Sequence, residues 1–294
     1  MTICENLVTD FLVSNITENE PLYNASTSYK YGDEAREGHY IYKSRIDSNV
    51  GNQPSISPLQ WKQVRPSNYY AMLDGVSLTQ TINNGQIDVT FNSVGYDMVS
   101  IVNVQGLSVK IVVTDLNTST VVMDKTKKLV DNSRIFDFYS YCFEPISYLE
   151  NFFIRLPLYY NTSVRVIIEP LDGYAKCGSL VSGRSLYIGK AKWGASFDLE
   201  SWGTSTEDEF GYKELEHTNS VYNDSYTINI ESPRLRLIQR KLQQLDFVPL
   251  IFVGDEQDDS KYENLVDYGY WETVRLVLEN PVNSTIEITK KGLV

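Results

Sequence analysis

The chain has 294 residues, 42% of them apolar and 22% charged, and its 26 basic against 38 acidic side chains leave a formal charge of −12. That composition belongs to a packed globular chain and excludes disorder as the dominant state. No run of about 18 apolar residues is present to cross a membrane as a helix, and the acidic balance opposes a nucleic-acid backbone as partner.

Tyrosine occurs 21 times, against only two histidines, His39 and His217. Tyrosine joins a rigid apolar ring to a polar tip and suits sheet surfaces, protein interfaces and sugar stacking. Two histidines leave little material for histidine-based catalysis or a multi-histidine metal site. Cys4, Cys142 and Cys177 are odd in number and widely spaced, which argues for free thiols rather than a disulfide framework or a zinc site. The first ten residues lack a basic stretch and carry Glu5 and Asp10, so no secretory signal is expected.

Along the chain, residues 1–20 read as a short helix or strand with a polar end. Residues 21–66 are rich in Tyr, Ser, Asn and Gly, with Pro54, Pro58 and Pro66 closing the segment. So short a stretch folds only as a small module or packed on something larger. Tyr23, Tyr29, Tyr31, Tyr40, Tyr42 and Trp61 are its tyrosines and tryptophan. They are read first as the module's own core, and second as rings for stacking on pyranose C–H faces.

A period-two pattern begins near residue 86. Ile87, Val89 and Phe91 alternate with Asp88 and Thr90, which buries one face of a strand. Strands at 98–104 and 107–114 follow, joined by Gln105-Gly106, which reads as a tight hairpin. Residues 121–123 return after a turn at 117–120, and Lys125, Lys127 and Lys128 read as a solvated turn. Residues 152–156 and 163–169 read as a second antiparallel pair. Evenly spaced short strands of this kind predict an antiparallel, jelly-roll-like β-sandwich, bounded by the turn Pro170-Leu171-Asp172-Gly173.

The remainder is mixed. Strands are expected at 185–189 and 191–199, then a polar loop at 201–208. One helix is well signalled, with Ser232 as N-cap, Pro233 at the first position and a stripe of Leu235, Ile238, Leu242 and Leu245. Residues 248–253 read as a buried strand, and 268–278 with 285–289 as a closing antiparallel pair. The expected fold is therefore mainly β: a small N-terminal β module (1–64), a central β-sandwich (65–172) and a mixed α+β domain with one clear helix (173–294).

Chemical motifs are scarce. The run Asp255, Glu256, Gln257, Asp258 and Asp259 offers hard oxygens but lacks the spaced ligands and fixed Gly of an EF-hand loop, and reads as a solvated acidic loop. Asp208, Glu209 and Glu214 would form a glycosidase pair only at the right separation in space. Neither a nucleophile-elbow Gly-x-Ser-x-Gly nor a phosphate-cradling Gly-rich loop occurs. Six formal glycosylation sequons matter only in a secretory pathway. No catalytic residue, cofactor or metal site is expected.

Two stretches resemble known families. Tyr29-Lys30-Tyr31-Gly32-Asp33, Gly38-His39-Tyr40-Ile41-Tyr42, the turn at 49–54 and Trp61 are similar, in order, to family 5/12 (chitin-binding) carbohydrate-binding modules, with Ala35 where those modules carry valine. Trp61, Arg65-Pro66-Ser67-Asn68, Ala71-Met72-Leu73-Asp74 and Thr79-Gln80-Thr81 resemble a segment of tailed-bacteriophage virion proteins, in which such a module often lies just upstream. Cys177-Gly178-Ser179-Leu180, residues 183–189, Trp193-Gly194-Ala195 and Asp208-Glu209-Phe210-Gly211 are similar to their downstream part. This resemblance implies a non-enzymatic component of a phage tail or baseplate, made in the host cytoplasm. Its place would be that of an adaptor docking a fibre or spike. Its partners would be other tail proteins and further copies of itself in a ring that follows the tail's symmetry, with no membrane insertion. A host surface glycan, stacked on Tyr40, Tyr42 and Trp61, is the alternative partner.

Overall fold

The computed structural model describes residues 1–132, 135–207, 209–216, 220–254 and 266–293. The chain is mainly β, in several antiparallel sheets, with one long amphipathic helix.

The N-terminal module is a three-stranded antiparallel sheet of Glu34–Glu37, Tyr40–Ser44 and Trp61–Pro66. Its core is small: Tyr29, Ala35 and Trp61, with Tyr23 and Tyr42 packed against them. Tyr29 and Tyr23 meet Trp61 edge-on, at centroid separations of 5.0 and 6.0 Å, an arrangement that sets ring edges against ring faces. The Trp61 indole N–H donates to the Asn52 carbonyl at 2.8 Å, so the one polar atom of the buried ring is satisfied.

The sandwich packs two sheets around one core. One sheet runs Thr120–Lys128, Ser108–Asp115, Thr162–Ile168, Ile87–Ser93 and Val13–Ser14; the other runs Phe152–Arg155, Met98–Gln105, Tyr174–Gly183 and Thr81–Asn84. The alternation of Ile87, Val89 and Phe91 points inward as expected, toward Val99, Ile101 and Val104 of the opposite sheet. The lysines read as a turn lie instead on Thr120–Lys128, a strand at the sheet's edge. Lysine on an edge strand discourages pairing with another chain.

Two strand pairings differ from the sequence reading. Met98–Gln105 and Ser108–Asp115 are not a hairpin: they belong to opposite sheets. Gly106 lies outside the left-handed region that a two-residue hairpin turn demands, so the chain crosses between the layers there. A Cβ on Gly106 would lie 2.7 Å from the Glu169 carbonyl oxygen. Gly106→Ala is therefore expected to cost about 1–3 kcal/mol, read as a lower urea midpoint; an unchanged midpoint would mean that the strand ends yield freely. Likewise Phe152–Arg155 pairs with Met98–Gln105, whereas Thr162–Ile168 lies between Ile87–Ser93 and Ser108–Asp115. Each apolar face thereby finds its cover in the other layer rather than beside it.

Segment boundaries also move. Tyr174–Gly183, beyond the turn at 170–173, completes the second sandwich sheet. Thr2–Glu5 leaves the N-terminal module altogether and inserts between Ser185–Tyr187 and Leu250–Val253 in the C-terminal sheet. That sheet continues through Val266–Leu278, Asn283–Gly292 and Ser220–Glu231 to Lys190–Ala191, with Ser196–Ser201 also on Ser220–Glu231. Residues 191–199 are thus two strands rather than one, and the expected loop at 201–208 contains Thr204–Glu207, paired with Lys213–Glu216. Helix Leu235–Gln244 lays Leu235, Ile238 and Leu242 on the sheet against Ile228, Phe252 and Ile286. Ser232 does not cap it; its hydroxyl instead donates to the Asn280 carbonyl and meets Ser284. A further apolar cluster of Cys4, Met98, Val102, Val181, Ile251 and Val253 joins sandwich and C-terminal sheet into one body.

Candidate functional site

The three residues read as sugar-stacking candidates do not share an exposed plane. Trp61 is only 2% exposed and forms the centre of the module core. Tyr42 is half-buried against that core, and Tyr40, also half-buried, meets Tyr70 edge-on at 5.9 Å. Tyr31 is the large aromatic of the module that stands well exposed.

The large exposed aromatic surface lies elsewhere, in a segment that the sequence reading did not single out. Between the short strands Val130–Asp131 and Ser147–Tyr148, which pair at its base, the chain makes a six-residue helix, Phe138–Phe143. Local hydrogen bonds form it. The Asp137 carboxylate accepts from the Ser140 backbone N–H, and the Ser140 hydroxyl accepts from the Asp137 N–H, a reciprocal cap that satisfies donors at the helix start. Those bonds from Ser140 hold the Asp137 carboxyl below its ordinary pKa. Ser140 is the helix's one buried residue, so packing contributes little to it. Phe136, at 87%, and Phe138, at 82%, face outward with Tyr139, Tyr141, Phe143 and Ile146. Each large apolar side chain left in water forgoes about 1.5–3 kcal/mol of burial. Cys142, on the same helix, is an exposed thiol, in contrast to the buried Cys4 and Cys177, whose thiols burial pushes up to about 12.

A second exposed element follows the same logic. Ser196–Ser201, Thr204–Glu207 and Lys213–Glu216 are exposed at every position, and they carry Phe197, Leu199 and Leu215 outward. A two-stranded ribbon with neither face covered is marginal by itself. Glu209 and Glu214 sit on this exposed ribbon, while Asp208, His217 and the acidic run 255–259 lie outside the described residues.

One buried charged cluster stands apart. On Ser220–Glu231, residues 224, 226, 228 and 230 share the inward face; on Asn283–Gly292 the same face carries Ile286, Ile288 and Lys290. Asp224 and Lys290 are directly opposite in register, and each side chain is 1% exposed. The Lys290 ammonium is ion-paired with Asp224 and lies 3.6 Å from Asp267 Oδ1. The Tyr226 hydroxyl donates to Asp267 Oδ2 at 2.9 Å and lies 3.3 Å from Asp224 Oδ2. Burial pushes the Asp267 carboxyl up to about 6 against the pull of Lys290, with the neighbouring Asp224 charge adding to the rise. Burial also drives the Tyr226 phenol far above its ordinary value, helped by the two carboxylates.

Asp224 and Asp267 open on a cleft of about 400 Å³ that Tyr148, Asn151 and Tyr222 also line. The Tyr226 hydroxyl bridges these two carboxyls. Among the described residues, no group of three or more His, Cys, Asp or Glu is arranged to hold a metal ion. Compared with known proteins, the chain matches no family model, no curated protein and no solved structure.

Proposed function

We propose that this chain is a structural, assembly-forming protein, a component of a phage tail or baseplate that docks a fibre or spike to its neighbours. The carrying observation is the exposure of six large apolar side chains within residues 136–146, four of them on the helix Phe138–Phe143 that a local cap closes. Interfaces draw most of their energy from aromatic anchors of this kind. The exposed two-stranded ribbon of Thr204–Glu207 and Lys213–Glu216 supports the same reading, because a partner's surface would cover it. The likeness of residues 61–81 and of the later motifs to tailed-phage virion proteins supplies the kind of particle. The enclosure of Trp61 favours this reading over a glycan-stacking module.

In Phe138→Ser/Tyr141→Ser/Phe143→Ser, each exposed change should alter the monomer's unfolding free energy by no more than about 0.5 kcal/mol. Each lost anchor should weaken assembly by about 30-fold, the equivalent of about 2 kcal/mol. Sedimentation of wild type and variant with the partner tail proteins reads the second effect, and thermal melting the first. Equal assembly by the two proteins, or absence of this chain from purified particles by mass spectrometry, would refute the assignment.

A further inference from the structure

We infer that Lys290 and Asp224 condense into an intramolecular amide bond, with Asp267 as the proton relay. The inference rests on the buried cluster alone and is independent of the assembly reading.

Three features of the cluster carry it. The first is placement. Lys290 and Asp224 are direct cross-strand neighbours on the core face, in continuation of apolar positions held by Ile286, Ile288, Ile228 and Ile230. A lysine and an aspartate at core positions are held together with almost no freedom to separate, and such fixed geometry raises the effective concentration of two reactants to about 10⁵–10⁸ M. The second is desolvation. Each side chain is only 1% exposed, so the pair has given up most of the hydration that ions hold in water. Passing the ammonium proton to the carboxylate gives a neutral amine, a nucleophile, beside a carboxylic acid, an electrophile. Asp224 Oδ1 has no hydrogen-bond partner among the described residues. A buried carboxylate ordinarily has its oxygens satisfied, and this one does not.

The third feature is a proton carrier at the reacting atoms. Asp267 Oδ1 lies 3.6 Å from Lys290 Nζ, and the Tyr226 hydroxyl bridges Asp267 to Asp224. Its carboxyl exchanges protons close to neutrality, as a general acid and base should. The step balances without any oxidant or co-reactant. The Lys290 ammonium gives one proton to Asp224. The amine lone pair attacks Asp224 Cγ, and the Nζ–Cγ bond forms. Asp267 delivers a proton to the departing hydroxyl as the Cγ–O bond breaks, and takes one from the nitrogen. One water leaves, through the cleft on which both carboxyls open, and Asp267 ends as it began.

The bond would tie the strand Asn283–Gly292 covalently to Ser220–Glu231. Intact-mass measurement of the purified, folded full chain tests this. The expected mass is that of the sequence less one water, and trypsin should release peptides 214–234 and 276–291 joined as one species, uncut after Lys290. Asp267→Ala keeps both reactants and should give the full, uncondensed mass, as should Lys290→Met. A folded wild-type chain at its full sequence mass would overturn the inference, as would a missing water traced to any other pair of peptides. Condensation of Asp267→Ala as complete as in the wild type would overturn the relay.

Discussion

Trp61→Ala is expected to unfold the N-terminal module while leaving the sandwich intact. Replacing a buried tryptophan removes about 3–5 kcal/mol through lost burial and the cavity left behind. The module has little to set against that loss, because its core consists of Tyr29, Ala35 and Trp61 with two flanking tyrosines. The substitution also frees the Asn52 carbonyl that the indole N–H satisfies. The sandwich core, built from Ile87, Val89, Phe91, Val109, Val164 and their neighbours, does not include Trp61. Limited trypsin digestion should therefore cut the variant early at Lys30, Lys43 or Lys62, with the sandwich still resistant. Wild-type resistance at those sites, together with an unchanged melting curve, would show that the ring does not hold the module together.

Lys290→Met should be the other costly substitution, by about 3–5 kcal/mol at neutral pH, because it removes the group that neutralises Asp224, as an ion pair before condensation and as an amide after it, and leaves the Asp224 and Asp267 carboxyls uncompensated. Its pH dependence has a definite sign. Asp267 already has a folded-state pKa raised to about 6, above the ordinary carboxylate value, and the Lys290 charge is what restrains the rise. A raised carboxyl contributes stability fully below the unfolded pKa of about 4, and that contribution is lost as pH rises through the folded value. Without the ammonium the folded value climbs further, so the loss extends above pH 6. Urea midpoints of Lys290→Met should thus be higher near pH 5 than near pH 7.5, and adding Asp224→Asn should shrink the difference. This variant cannot form the proposed amide, so the comparison within it reads the carboxyls alone. Equal midpoints at the two pH values would mean that the carboxyls reach water in the folded chain.

The two substitutions probe different kinds of burial. Trp61 is an apolar ring whose enclosure its surroundings reward. Lys290 is a charge that the fold tolerates only in company, with Asp224 and Asp267 placed around it. The aromatic helix at Phe138–Phe143 is the converse, with its rings left in water by the isolated chain. Under the assembly function proposed above, such rings mark where a partner chain would dock.

Much of the local structure follows from short-range pattern. The alternation at Ile87, Val89 and Phe91 predicts a strand with one buried face, and the spacing of Leu235, Ile238 and Leu242 predicts a helix with one buried stripe. Both are properties of neighbouring residues, with periods of about two and 3.6 set by backbone geometry. The enclosure of the module's rings could also be expected, since Trp61 and the tyrosines are the bulkiest apolar side chains in residues 21–66. The aromatic helix was legible in principle: Asp137 and Ser140 mark a cap, and Phe138, Tyr139, Tyr141 and Phe143 cluster beyond it. Its exposure was not legible, because an aromatic run reads equally well as core.

What only the tertiary structure decided is which strands meet. Gln105-Gly106 has the look of a hairpin, yet the two strands that it joins lie in opposite sheets. Thr2–Glu5 finds its partners at Ser185–Tyr187 and Leu250–Val253, far along the chain. Pairing of that kind depends on which apolar faces can cover one another, a condition on the whole chain that no window of sequence contains. The same holds for Asp224, Asp267 and Lys290. Each is an ordinary charged residue in its own segment, and they meet only because three strands bring them together, with Asp224 and Lys290 at core positions.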